Sequence, residues 1–353
     1  MSATVENKTI CVYGAGHQGL SMAAHLALNG VKVNLYNRTQ AHIQKVMDTS
    51  SVLCNGIICG EAKLNKVSAD IAETVTDIIM VTTPSSAHKD AAKTLAPFVD
   101  ESTVIILNPG RTFGAIEFAE ELIKNGASSL PHIAETQTIV YTCRKSAENS
   151  TSIFALKNDV KIAALKTSDI ETVMQAIPQC LKGYFTLVDS VALTSFSNIG
   201  MVLHCAPVLM NIGWIESDKT DFKYYYDGIS PSIAHFLEKI DQERIAIAKA
   251  AGYEVESLKE WLERTYQVQG DDIFECIKKN ETYREIDAPP SLHTRYLFED
   301  IPNGMVPLEY IGTQLGVNTK NISTIIDLAE AVLDTDYREM GRRFDCEVLK
   351  QYF

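Results

Sequence analysis

The run Gly-Ala-Gly-His-Gln-Gly at residues 14–19 limits what this chain can fold into more than any other feature of its sequence. A short β-rich segment at residues 10–13 precedes the run, and a helical pattern over residues 20–29 follows it, ended by Gly30. In such a motif the first glycine permits a tight turn, the second lets the backbone approach a diphosphate, and the third lets helix and strand pack closely. Free N–H groups at the helix N-terminus attract the phosphate charge. The run therefore predicts a dinucleotide-binding unit.

Strand-like and helical segments alternate through the first half of the chain. The strand-like segments are nearly uniformly apolar and rich in β-branched residues, and they cover residues 10–13, 31–36, 78–82 and 104–107. Strands of this kind are typical of a parallel sheet that is covered on both faces. Right-handed crossovers between them build a doubly wound sheet that binds its ligand beyond the carboxyl ends of the strands. We predict an α/β fold of the Rossmann type, with further short strands as far as residues 185–188.

Helical patterns replace the strand signals beyond this point. The clearest one covers residues 230–251, where Ser230 is placed to cap the N-terminus and Gly252 to end the helix. A length of 353 residues also favours two domains over a single core. We therefore predict an NAD(P)-binding Rossmann-type domain over residues 1–187 and an all-α domain, for substrate binding or catalysis, over residues 188–353.

Three charged residues interrupt the apolar stripe of the helix predicted at residues 230–251. They are Asp241, Glu243 and Arg244. Asp241 and Arg244 have the i,i+3 spacing of an ion pair on a helix surface. We interpret the three residues as a solvated face, and a role in substrate binding is the alternative.

The end of the second predicted strand indicates which nicotinamide cofactor is bound. An Asp or Glu at this position hydrogen-bonds the ribose 2′-hydroxyl of NAD and repels a 2′-phosphate. Here the position is Asn37, followed by Arg38 and Thr39. An uncharged acceptor beside a guanidinium and a hydroxyl suits a phosphate, which arginine binds in a bidentate manner. We predict NADP as the preferred cofactor, with NAD as the alternative.

All residues assigned to the cofactor lie in the glycine-rich run or at the carboxyl ends of predicted strands. They are Gly14, Gly16, His17, Gln18, Gly19, Asn37, Arg38, Thr39, Thr83 and Pro84.

Composition excludes several other classes of partner. The formal net charge of −13 argues against nucleic acid or an anionic membrane surface as a partner, because both bind to basic surfaces of proteins. The eight cysteines are scattered and have no metal-ligand spacing, so no metal site is predicted and a reducing compartment is favoured. Residues 1–8 are polar, and we expect no apolar span of 18 residues anywhere in the chain. We therefore expect a cytoplasmic protein with small-molecule substrates.

Acid/base chemistry in the helical half would require a titratable group, and three histidines are available. His235 lies among apolar residues of the predicted helix, and we interpret it as a structural residue. His293 lies in a proline-rich loop, and His204 lies six residues after Asn198. The pattern alone does not choose between a catalytic and a structural role for His204.

Four segments of the second half form a specific series. They are Asn-Ile-Gly-Met-Val-Leu-His-Cys-Ala-Pro at residues 198–207, Tyr-Asp-Gly-Ile-Ser-Pro-Ser at 226–232, Arg-Tyr-Leu-Phe-Glu-Asp-Ile-Pro-Asn-Gly-Met-Val-Pro at 295–307, and Asp-Tyr-Arg-Glu-Met-Gly-Arg at 336–342. In the first half, residues 108–112, 135–136 and 141–144 belong to the same series. Together these segments resemble the octopine/nopaline (opine) dehydrogenase family over essentially the whole chain.

This resemblance implies an activity and roles for particular residues. The family condenses a 2-oxo acid with the amino group of an amino acid reductively, using NAD(P)H. The resemblance implies that His204 is the catalytic acid/base and that Asp300 holds it. It further implies that Asn198 contacts the nicotinamide or a substrate carbonyl. Arg295 would bind a substrate carboxylate, and Arg144 is the second candidate for that task.

Two other functions are weighed against this one. The first is an NAD(P)H-dependent reductase of a small oxo acid, or a dehydrogenase of a hydroxy acid, that performs no condensation. The second is an NAD(P)-binding sensor without catalysis. The sequence does not identify the amino acid or the oxo acid, and it leaves a homodimer open.

Overall fold

The computed structural model describes residues 8–349, except for the side chain of residue 348. Residues 1–7, which make up most of the polar N-terminal segment discussed above, lie outside the described residues, as do residues 350–353. The chain divides into two compact units between Thr194 and Ser195.

The first unit contains strands and helices in alternation. Its strands are β1 (Thr9–Tyr13), β2 (Lys32–Tyr36), β3 (Ser51–Gly56), β4 (Gly60–Lys63), β5 (Lys66–Ser68), β6 (Ile78–Val81), β7 (Val104–Leu107), β8 (His132–Thr136), β9 (Tyr141–Ala147), β10 (Ser150–Leu156), β11 (Val160–Ala164) and β12 (Phe185–Leu187). Its α-helices are α1 (His17–Leu28), α2 (Gln44–Thr49), α3 (Ile71–Thr74), α4 (His88–Leu95), α5 (Gly114–Lys124), α6 (Ile170–Ala176) and α7 (Gln179–Lys182). Short 3-10 helices cover Gln40–His42, Ser85–Ala87, Ala96–Phe98 and Thr167–Asp169.

The larger sheet of this unit is the predicted Rossmann-type sheet. Its strand order is β12-β11-β8-β7-β6-β1-β2-β5, and all neighbours are parallel except β8 and β11. The four apolar segments predicted as strands are β1, β2, β6 and β7, which lie side by side in the centre. Their side chains are almost wholly buried, as a sheet covered on both faces requires. The predicted α/β fold class is thus confirmed.

A second, four-stranded sheet packs against α1, and the sequence did not predict it. Its strand order is β4-β3-β10-β9. Two buried contacts join it to the helix: Ser21 Oγ lies 2.6 Å from Thr151 Oγ1, and His25 Nδ1 lies 3.1 Å from the Tyr141 hydroxyl. The outer face of this sheet is exposed, so β3 and β4 lack the continuous apolar character that marks the strands of the larger sheet.

The second unit is helical, as predicted. Helix α8 (Val191–Phe196) contains the division between the units, and the helices that follow are α9 (Gly200–Met210), α10 (Ile212–Ile215), α11 (Pro231–Ala250), α12 (Leu258–Tyr266), α13 (Ile273–Lys279), α14 (Arg295–Phe298), α15 (Val306–Gln314), α16 (Lys320–Leu333), α17 (Tyr337–Met340) and α18 (Cys346–Leu349). A 3-10 helix covers Glu281–Tyr283, and a π-helical turn covers Ile301–Met305. The predicted caps of α11 are confirmed, because the Ser230 hydroxyl accepts a hydrogen bond from the Ile233 N–H and Gly252 has φ +93°.

The interpretation of Asp241, Glu243 and Arg244 as a solvated face was wrong. The Arg244 side chain is 0% exposed, and its guanidinium donates hydrogen bonds to Asp241 and to the carbonyl oxygens of Phe196 and Glu256. Glu243 accepts hydrogen bonds from backbone N–H groups at the start of α16. These charges are buried because backbone groups of neighbouring segments satisfy them, which the pattern of one helix does not reveal.

The expectation that the chain has no apolar span of 18 residues was also wrong. The helical segment Val191–Met210 is long and apolar enough to cross a membrane by length and composition, with a mean hydropathy of 1.4. However, 83% of its apolar 18-residue window is buried inside the protein, which is typical of a core helix.

Candidate active site

The glycine-rich loop of the first unit has the shape of a dinucleotide cradle. Gly14 has φ +108°, a backbone conformation that residues with a Cβ rarely adopt. A Cβ on Gly19 would lie 1.9 Å from the Gly14 carbonyl oxygen, so only glycine lets α1 pack against the turn. A Cβ on Gly16, at the N-cap of α1, would meet nothing within 4 Å. This open space at the N-terminus of α1, the helix end that attracts negative charge, fits the diphosphate of a nicotinamide cofactor.

The carboxyl end of β6 closes the other side of this loop. The Thr82 hydroxyl donates hydrogen bonds to the carbonyl oxygens of Tyr13 (3.0 Å) and Gly14 (3.1 Å). Oγ1 of Thr83 is buried and makes no hydrogen bond to any part of the chain that the structure describes. Pro84 follows and is exposed. A buried hydroxyl of this kind is normally satisfied by a ligand or by water, so Thr83 fits a cofactor contact.

Two residues of the run follow the second glycine. His17 begins α1 and is exposed, whereas Gln18 is buried. Nε2 of Gln18 makes no hydrogen bond within residues 8–349.

Asn37 and Arg38 lie at the carboxyl end of β2, next to the glycine-rich loop. The Asn37 side chain accepts a hydrogen bond from the Ala15 N–H (3.2 Å) and donates one to the Thr39 carbonyl oxygen (3.0 Å). Arg38 forms an ion pair with Asp90 at 2.9 Å, and both side chains are largely exposed, at 73% and 67%. An exposed pair contributes little to stability, so the Arg38 guanidinium can exchange this partner for a phosphate.

His204 and Asp300 lie together in the second unit. His204 belongs to α9, and Asp300 directly precedes the π-helical turn. Nδ1 of His204 is 2.7 Å from Oδ2 of Asp300, although 96 residues separate them in the chain. The side chains are 12% and 1% exposed. Because a carboxylate accepts, this contact places the proton of the neutral imidazole on Nδ1 and leaves Nε2 as the acceptor nitrogen.

Two tyrosines fix the position of His204. The Tyr296 ring stacks on the imidazole, with centroids 4.0 Å apart and planes 16° from parallel. Burial raises the pKa of Tyr224 well above its ordinary value, so its hydroxyl keeps its proton and donates it to the His204 carbonyl oxygen at 2.6 Å. Sequence reasoning gave neither tyrosine a role, although Tyr296 lies in the segment 295–307 that resembles the family. Ring stacking and a hydrogen bond to a backbone carbonyl leave no pattern in the sequence.

The π-helical turn sets the position of Asp300 relative to α9. The Met305 N–H donates to the Asp300 carbonyl oxygen across five residues at 3.1 Å. A Cβ on Gly304 would lie 2.9 Å from Sδ and 3.0 Å from Cβ of Met201, one turn before His204. Glycine therefore lets the turn approach α9 closely. π-helical turns are rare and frequently occur at functional sites.

The remaining predicted residues fall in both units. Asn198 is buried just before α9, and Arg295 is the exposed first residue of α14, directly before Tyr296. Within the described residues, the Arg295 side chain has no ion pair, so its guanidinium can bind a carboxylate. Arg144 is exposed on β9 of the first unit.

Comparison with known proteins decides the family. The family model described as NAD/NADP octopine/nopaline dehydrogenase, alpha-helical domain, matches residues 187–333. The model of ketopantoate reductase PanE/ApbA matches only residues 10–140, within the cofactor-binding part. An opine dehydrogenase of Arthrobacter sp. (strain 1C) is 36% identical to this chain over 97% of the chain and 95% of the relative. The chain belongs to the opine dehydrogenase family.

Solved structures agree with this assignment at the level of the fold. A structure of octopine dehydrogenase in complex with NADH and agmatine superimposes with a TM-score of 0.77 at 18% identity, covering 98% of this chain and 96% of the other. Yersinopine dehydrogenase with NADP+ bound gives a TM-score of 0.74 at 11% identity, covering 98% of each chain.

Membership of the opine dehydrogenase family defines the class of reaction. The protein is an NAD(P)-dependent oxidoreductase that acts on CH–NH donors. Its reaction is the reductive condensation of a 2-oxo acid with the amino group of an amino acid.

Proposed function

We propose that His204 is the acid/base of this condensation and that Asp300 orients it and supports its cationic form. The observation that carries the proposal is the 2.7 Å contact between His204 Nδ1 and Asp300 Oδ2. Proton transfers near neutral pH suit an imidazole, and a buried carboxylate stabilises the imidazolium.

The reaction needs a proton donor and a proton acceptor at successive steps. Neutral His204 first accepts at Nε2 the proton that the amine nitrogen loses as it attacks the carbonyl carbon of the oxo acid, and it passes this proton to the carbonyl oxygen, which gives a carbinolamine. The ring then takes up a proton from solvent, and as the imidazolium it gives its Nε2 proton to the hydroxyl of the carbinolamine, which leaves as water when the C–O bond breaks. The whole condensation therefore consumes one proton. When bound, NAD(P)H supplies the hydride that converts the iminium carbon to CH, leaving a secondary amine.

Arg295 is proposed to bind the carboxylate of one substrate. Both substrates carry a carboxylate, and a guanidinium binds this group in a planar, bidentate manner. Arg144 is the second candidate. Asn198, which shares the helical unit with the dyad, would contact the substrate carbonyl or the nicotinamide. Related octopine dehydrogenase structures contain pyruvate or L-arginine, so pyruvate is the first oxo acid to test here.

NADP is proposed as the preferred cofactor. Arg38 supports this preference, because its partner Asp90 is an exposed and replaceable carboxylate. Asn37 also supports it, since no carboxylate occupies the end of β2 where it would repel a 2′-phosphate.

The requirement for two substrates tests the proposed function. Pyruvate-dependent oxidation of NADPH should be negligible until an amino acid is added, and mass spectrometry should then detect an N-(carboxyalkyl)amino acid. A mixture of amino acids and oxo acids, analysed in the same way, would identify the pair that reacts. Pyruvate reduction at full rate without any amine, giving a hydroxy acid as product, would instead support a simple oxo-acid reductase.

A further inference from the structure

We propose that Lys145, supplied by the second sheet, is a further ligand of the 2′-phosphate of NADP(H). This inference rests on the proposed preference for NADP. It adds to the cofactor site a cation that lies 106 residues beyond the Asn37–Thr39 segment and outside every cofactor motif.

Lys145 joins the two loops that frame the adenosine end of a dinucleotide site. Its backbone N–H donates to Nδ1 of His17, in the glycine-rich run, at 2.7 Å. Its ammonium donates to the carbonyl oxygen of His42 at 3.2 Å. His42 ends the 3-10 helix that starts directly after Arg38 and Thr39. The Lys145 cation therefore lies beside the segment that distinguishes the two cofactors.

The ammonium retains the capacity to bind an anion. Lys145 is half-buried, and in the described part of the chain no carboxylate lies within ion-pair distance of it. An ammonium has three N–H donors, and the His42 carbonyl uses one. A dianionic phosphate is bound more strongly by two cations than by one. Asp90 partly neutralises the charge of Arg38, so the Lys145 ammonium would strengthen the binding of the phosphate.

Contacts within the first unit hold the backbone of Lys145 in place. Lys145 pairs with Thr151 in the ladder between β9 and β10, and Thr151 contacts Ser21 of α1 at 2.6 Å. The Cys143 thiol also donates to the His17 carbonyl oxygen at 3.5 Å. These contacts tie β9 to the first turns of α1, so little ordering is required when the phosphate binds.

Cofactor titrations of the full-length enzyme test the inference. In Lys145→Gln, the Kd for NADPH, measured from nicotinamide fluorescence, should rise about tenfold, the effect of one charge-assisted hydrogen bond. The Kd for NADH should change less than about twofold, because NADH lacks the 2′-phosphate. Lys145→Arg should retain most of the affinity for NADPH. The matched control is Lys45→Gln, an exposed lysine of α2, which should bind both cofactors like the wild type.

Two results would overturn the inference. Equal losses for NADPH and NADH in Lys145→Gln would place the ammonium at the diphosphate, and unchanged affinity for both would exclude a phosphate contact. Measuring Arg38→Ala in parallel shows whether the role of Lys145 alone is wrong or whether the proposed preference for NADP is wrong as well. If Arg38→Ala discriminates between the cofactors and Lys145→Gln does not, only the role of Lys145 is wrong. If the wild type itself binds both equally and neither variant discriminates, the NADP preference is wrong as well.

Discussion

At the scale of single residues, the His204 imidazole is held at one nitrogen and on one face. Asp300 fixes Nδ1, and the ring of Tyr296 covers a face of the imidazole. Both constraints orient the ring before any substrate binds. Preorganisation of this kind lowers the barrier because the enzyme need not reorganise as charge develops.

The proposed preference for NADP gives Arg38 a role that a single substitution can test. Arg38→Ala should raise the Kd for NADPH about tenfold or more and leave that for NADH nearly unchanged, because only NADPH carries a 2′-phosphate for the guanidinium to bind. Fluorescence titration with each cofactor measures both constants. Asp90→Asn provides the complementary variant, since it removes a negative charge beside Arg38 and should tighten NADPH binding. An equal rise of the Kd for NADPH and the Kd for NADH in Arg38→Ala would show that Arg38 does not bind the 2′-phosphate.

At the scale of secondary structure, the π-helical turn at Ile301–Met305 requires a residue without a side chain at position 304, where it approaches α9 closely. Gly304→Val would place branched carbons against Met201 and push the turn away from α9, so Asp300 would move from His204. We expect turnover to fall about 10- to 100-fold with little change in cofactor affinity, because the residues proposed to bind the diphosphate and the 2′-phosphate belong to the other unit. Gly213→Ala is the control, because a Cβ at Gly213 meets nothing within 4 Å. Wild-type turnover in Gly304→Val would mean that the close approach does not position Asp300.

The buried ion pair between Arg244 and Asp241 of α11 leads to a prediction about the free energy of unfolding. Arg244→Met should lower the free energy of unfolding by about 3–5 kcal/mol, because it leaves the Asp241 carboxylate buried without its cation. Urea unfolding of wild type and variant measures this difference. The matched control is Arg284→Met, which removes an exposed pair with Glu281 and should have little effect. Similar small effects for both variants would contradict the structural importance of the buried network.

At the scale of the whole molecule, apolar strands were the part of the fold that the sequence predicted well. Strands β1, β2, β6 and β7 are buried on both faces, so continuous apolar runs mark them. Strands β3 and β4 were missed because one of their faces is exposed and their composition is mixed. The second sheet could not be predicted from the glycine-rich motif, since its strands come from residues 51–63 and 141–156.

The candidate site was predictable only in part for a related reason. The cofactor loop is local in sequence, so spacing alone reveals it. His204 and Asp300 are distant in the chain, and only the family resemblance paired them. A hydrogen bond made by a backbone group, such as that of the Lys145 N–H with His17, does not depend on the residue type, so the sequence does not reveal it. The burial of Arg244 escaped notice for the same reason, because carbonyl oxygens supply two of its partners.

The most direct test of the account compares His204→Ala with His235→Ala. His235 belongs to α11 in the same unit, and its interpretation as a structural histidine was wrong, because its side chain is 67% exposed. Its replacement should leave activity unchanged. His204→Ala should reduce the rate of opine formation by roughly 10²–10⁴ while the Kd for NADPH stays within about twofold of the wild-type value. Asp300→Asn should reduce the rate less, again with cofactor binding intact. Full opine-forming activity in His204→Ala would contradict the assignment of His204 as the acid/base.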